Sequence, residues 1–171
     1  MRTLRLTILA GLAGALAIGA AAQDSEVFIE RENTPAPRFS LPDLSGKRVD
    51  SKAFAGKVAV LSFGATWCSS CMSELKSLEA LQARFPDDLL VYFVAMDGRG
   101  RDDVKPFLKA HGNKIRTLLD PKMAVARENG IRWLPVTLVV DRKGVIVGRA
   151  IGPREWNGKQ ALEFIAPLIG Q

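Results

Sequence analysis

Cys68 and Cys71 form a Cys-x-x-Cys pair and are the only cysteines in the chain. A structural disulfide is a poor use for them, because the benefit of a cross-link grows with the loop it closes and this one would enclose two residues. Zinc would ask for four ligands, usually a second such pair or two histidines at helical spacing. The single histidine, His111, stands among Lys, Ala and Gly and reads as a surface residue near a helix end. No metal is therefore expected. The chemistry left is reversible thiol–disulfide exchange, which needs no cofactor.

The flanking residues supply what such a pair requires. Residues 58–65 (VAVLSFGA) are a short apolar run fitting a buried strand. From residue 71 to residue 85 the pattern turns helical. At about 100° per residue, Leu75, Leu78, Leu81 and Phe85 make one apolar arc, with Ser73, Ser77, Ala80 and Arg84 opposite. Cys71 falls inside the arc and Cys68 at its edge, in the first turn. A sulfur there meets unpaired backbone N–H groups and the positive end of the helix dipole, so Cys68 is expected to be the attacking thiol. Cys71, turned inward, is expected to resolve the mixed disulfide.

Glu74 lies on the same buried face, one turn from Cys71. Burial would raise its pKa and fit it to exchange a proton with Cys71. The competing reading is a surface glutamate on a wheel misjudged by one turn. Gln82 shares the face without an evident chemical role. Pro135 opens a strand at residues 136–140, where composition alone favours an ordinary trans proline.

The remaining elements follow from pattern and punctuation. Residues 24–57 are rich in turn formers, with short strands at best. Residues 89–96 (LLVYFVAM) read as a second buried strand. Asp102 or Asp103 caps a helix to about residue 111, with Pro106 in its first turn. Asp120-Pro121 opens a short helix closed by Gly130. Residues 136–140 and 145–150 flank Asp141-Arg142-Lys143-Gly144 as an antiparallel hairpin, and a last helix covers about residues 158–169. The order is that of a layered α/β domain.

The chain has 171 residues, 47% of them hydrophobic and 25% charged, which excludes disordered and collagen-like classes and suits one globular domain. Residues 1–22 carry Arg2 and Arg5, no acid, and an uncharged Ala/Leu/Gly run ending Ala20-Ala21-Ala22. That is the pattern of a secretory signal peptide cut after Ala22. Retained, the same run would be a membrane anchor of near-minimal length. Residues 23–36 then form a flexible lead-in, and residues 37–171 the domain. The formal charge of +6 is spread without long basic runs, so a solvated surface is expected and nucleic-acid binding is not.

The stretches FGATWCSSCMSELKSL (Phe63 to Leu78) and GIRWLPVTLVVDRKGVIVGRAIGP (Gly130 to Pro153), with their separation, resemble the TlpA/ResA-like family of exported thiol–disulfide oxidoreductases. The resemblance runs from about Pro37 to Leu168. It implies an α/β thioredoxin-like fold: a central mixed sheet with flanking helices and a C-terminal β-hairpin plus helix. It also implies that Cys68 and Cys71 form the redox disulfide, that Pro135 is cis beside them, and that Glu74 tunes them. By the same resemblance Trp67, Leu134 and Pro135 contact substrate. The chain departs from the family at Ser69-Ser70, where prolines are common and where serines can hydrogen-bond Cys68. Lys76 replaces a helix proline, so a kink there is not assured. Ser62 stands where thioredoxins carry a buried Asp, and Gly64, where relatives usually have Trp, should open space beside Trp67.

The function implied is that of a periplasmic thiol–disulfide oxidoreductase. It would be a monomer that reduces client proteins bearing cysteine pairs or disulfides, as in cytochrome c or copper-site maturation, with electrons from a membrane thiol–disulfide donor. A disulfide-donating oxidase of the same fold, a non-catalytic thiol-based copper or haem chaperone, and an interaction module with a vestigial pair are the alternatives.

Overall fold

The computed structural model describes residues 28–170; the signal peptide expected over 1–22 lies outside them. Its centre is a six-stranded mixed sheet in the order β1-β8-β7-β4-β5-β6. The strands are β1 (Glu30–Pro35), β4 (Val58–Gly64), β5 (Leu89–Ala95), β6 (Thr117–Leu119), β7 (Val136–Val140) and β8 (Val145–Ile151), and a separate hairpin pairs β2 (Ser40–Pro42) with β3 (Arg48–Asp50). β4, β5 and β6 run parallel, while β7 is antiparallel to β4 and β8 to β7.

The two apolar runs occupy the middle because both their faces are covered. Val58 and Val60 join Leu75, Leu78 and Leu81 of α1 (Ser69–Arg84), Val104 and Leu108 of α2 (Arg101–Ala110), and Ala161 and Ile165 of α4 (Lys159–Ile169). Ala59, Leu61 and Phe63 face the other way, against Phe39, Phe54 and α3 (Ala124–Glu128). Strand alternation therefore puts Ser62, in step with Val58 and Val60, on the α1 side. α1 is the crossover between parallel β4 and β5, so its first turn stands at the C-terminal end of β4. It is continuous through Lys76.

Several expectations are corrected. The second half of the expected lead-in is strand: β1 pairs with β8, and Glu32 holds Arg149 at 2.8 Å. β1 is polar and ends in proline, the composition of an edge that must not recruit further strands. β6, absent from the pattern reading, pairs three residues with β5. α2 is capped by Gly100, with Asp102 and Asp103 inside the first turn, and Pro106 falls in the second turn on the exposed side. Ser77 is buried, because the segment after β8 lies across that side of α1: Ser77 accepts the Trp156 N–H at 3.0 Å. The β7–β8 hairpin stands as expected, with Gly144 at φ 77°.

Candidate functional site

The loop leaving β4 is fixed before it reaches the cysteines. Buried Asp97, just past β5, accepts the Thr66 N–H at 3.0 Å and also the Thr66 hydroxyl, while Met96 donates to Gly64 O at 2.9 Å. Cys68 is then the N-cap of α1, in extended conformation, just before the first turn in which the wheel placed it. Its sulfur accepts the Cys71 N–H at 3.2 Å and lies 3.4 Å from the Ser70 hydroxyl. Ser70, one of the two unusual serines, thus reaches Cys68, and Ser69 is exposed.

Cys68 and Cys71 are joined as a disulfide. The two sulfurs are unequal in the expected sense, with Cys68 8% exposed and Cys71 1%. Ala65, Cys68 and Cys71 form a small cluster on which Met72 and Leu134 pack. The Leu134–Pro135 peptide is cis, and Pro135 is buried with its carbonyl accepting from Gly152 N–H at 2.9 Å. Trp67 is 71% exposed beside Cys68.

The place that a side chain at residue 64 would take is filled, not open. A Cβ there would come within 2.7 Å of Phe93 Cε2, 3.0 Å of Cys71 Cβ and 3.1 Å of Cys71 Sγ. The missing side chain is what lets the Cys71 sulfur settle against β4.

Glu74 is 2% exposed, so the buried reading holds over the surface one. Its Oε1 accepts the Ser62 hydroxyl at 2.6 Å, and its Oε2 accepts the Arg154 backbone N–H at 3.1 Å and the Trp156 Nε1–H at 3.2 Å. Burial pushes its carboxyl above the ordinary glutamate value, against the pull of those three donors and of the Arg154 charge. Ser62, where thioredoxins carry an Asp, is thus a partner of the acid rather than a second acid. Gln82 has a structural role: it donates to Leu89 O at 2.8 Å and accepts Val91 N–H at 2.8 Å, completing the stretch of β5 that β6 does not reach.

Asp97 and Trp133 were missed. Asp97 follows an apolar run directly and looks like a turn residue; no local signal shows that it ties down residue 66. Trp133 is 71% exposed and precedes Leu134; a large indole next to a Leu-Pro was the available sign. His111 is the exposed C-cap of α2, as expected, with Nδ1 2.8 Å from Phe107 O.

A mixed sheet with a cysteine pair at the start of the helix after its central strand defines a thioredoxin-fold thiol–disulfide oxidoreductase. Residues 31–163 match the Redoxin family. The thiol-disulfide oxidoreductase ResA of Bacillus thuringiensis (strain Al Hakam) is 31% identical over 153 residues, 88% of this chain and 86% of that protein. The thioredoxin-like protein YneN of Bacillus subtilis (strain 168) is 34% identical over 129 residues, 74% of this chain and 75% of its own. A thioredoxin-family thiol:disulfide interchange protein from Chlorobium tepidum TLS superposes with TM-score 0.67 at 25% identity, covering 82% of this chain and 99% of that one. The chain belongs to the Redoxin family, within its TlpA/ResA-like group.

Proposed function

We propose that the protein acts outside the cytoplasm, in the periplasm, and reduces disulfides of client proteins through Cys68 and Cys71. The observation that carries the mechanism is the inequality of the sulfurs: Cys68 caps the helix and keeps 8% of its surface exposed, while Cys71 keeps 1%. In the reduced protein the Cys68 thiolate attacks a client sulfur, forming a mixed disulfide and releasing one client thiolate. Cys71 then attacks Cys68 Sγ, forming the internal disulfide and releasing the second thiolate. Two electrons and two protons pass to the client, and a membrane thiol–disulfide donor restores the dithiol. Glu74, buried one turn from Cys71, exchanges the proton that the inner thiol must lose. Trp67, Leu134 and Pro135 form the substrate contact, which the packing of Leu134 on the cysteine cluster supports.

The reducing direction rests on resemblance to the TlpA/ResA-like group, as does a client in cytochrome c or copper-site maturation. The signal-peptide pattern read in the sequence of residues 1–22 supports the location. Equilibration of the pair against glutathione tests the direction. A potential near about −270 mV is expected of a reductant, whereas one near about −120 mV would make the protein a disulfide donor and overturn the proposal.

A further inference from the structure

Among the described residues, four large apolar side chains are exposed: Trp67, Met123, Trp133 and Ile151. The sheet register places all four at one pole. Leu119, Ala95 and Gly64 pair in one row at the C-terminal ends of the parallel strands, and the adjoining Phe63 pairs with Val136, which pairs with Ile151. Trp67 lies three residues beyond Gly64, Met123 four beyond Leu119, and Trp133 three before Val136, while Ile151 is itself in the row. The disulfide belongs to this pole. Concentration of exposed apolar surface at one place marks a surface that another molecule covers, and indoles are the side chains that most often carry such contacts.

The charges beside these residues narrow the partner. Lys122 adjoins Met123 and Arg132 adjoins Trp133; both are exposed, and neither has an ion pair among the described residues. Cys68, by contrast, is 8% exposed and flanked by a far more prominent indole. A narrow, extended chain can bring a sulfur to it where a broad folded surface cannot. The surface is also continuous with the sulfur that any client must touch.

We propose that this pole docks an extended client segment with large apolar side chains on both sides of its cysteine and an acidic residue nearby, and that Trp133 and Arg132 set that preference. The inference rests on the reading of the protein as a client reductant and names its substrate class.

Two disulfide-bridged peptides of equal length test it. One carries Phe, Leu and Glu around its bridge; the other has Ser for Phe and Leu, and Lys for Glu. Reduction by the reduced full chain is followed under single-turnover conditions, each peptide bridge taking two electrons as Cys68 and Cys71 close. The apolar, acidic peptide is expected to react with a second-order rate constant about tenfold higher, the difference lying in the peptide concentration that gives half the limiting rate and not in the limiting rate itself. The preference should vanish in the Arg132→Glu/Trp133→Ser double variant and persist in Trp133→Phe. Equal rates on the two peptides, or a preference untouched in the double variant, would overturn the docking surface alone. Failure to reduce either peptide would instead strike the reading of the chain as a reductant.

Discussion

Replacing Glu74 by Gln tests the buried acid with little steric change. The Gln carbonyl can take the place of Oε2 and accept the Arg154 and Trp156 N–H groups, while its amide donates to a Ser62 hydroxyl turned to receive it. The variant should therefore fold. Glu74→Ala is different: it strands the buried Ser62 and Trp156 donors at about 1–3 kcal/mol each, beside the part-buried Arg154 N–H, a large part of a total stability of about 5–15 kcal/mol. The pH dependence isolates the charge. Glu74 is raised above its ordinary value of 4.5, chiefly by burial. Below the unfolded value both states hold the proton and the group costs nothing. Between the unfolded and folded values the folded state binds more proton, so stability falls as pH rises, by at most about 1.4 kcal/mol per pH unit, and then levels off. Gln has no such fall. Urea unfolding of both proteins with the disulfide intact, from about pH 4 to about pH 8, should show Glu74→Gln gaining on the wild type as pH rises. Parallel curves throughout would refute the burial argument. If Glu74 also serves Cys71, the pH–rate profile of disulfide reduction should change shape in the same variant.

In the reduced protein Cys68 should be alkylated before Cys71 at neutral pH, as mass spectrometry of the singly modified chain would show, and Cys71→Ser should accumulate client mixed disulfides on Cys68. Faster labelling of Cys71 would reverse the assigned roles. Gly64→Ala should lower stability by about 1–3 kcal/mol, because its methyl must displace the Phe93 ring or the Cys71 side chain; an unchanged urea midpoint would show that α1 yields freely.

The chemistry of this chain was legible because it is local. The spacing of Cys68 and Cys71, the apolar strand before them and the helical arc after them fix which sulfur lies at the helix end and which lies within, and the same arc places Glu74 inside. Such relations are set by backbone geometry over a few residues. The cis peptide before Pro135 followed from the family resemblance, since composition favoured the opposite. Other features depend on segments far away in the chain. β1 carries no apolar alternation and is a strand because the edge of β8 offers it hydrogen bonds; β6 has only three residues and is defined by β5. Ser77, on the side of α1 read as solvent-facing, is buried because Trp156 closes over it. Asp97 gains its meaning from Thr66 and Ser62 from Glu74, each pair joined across the sheet end or between sheet and helix. Sequence periodicity reports which face a residue takes on its own element, whereas the partner on that face is selected only when the chain packs, and it is the partner that decides burial, protonation and access.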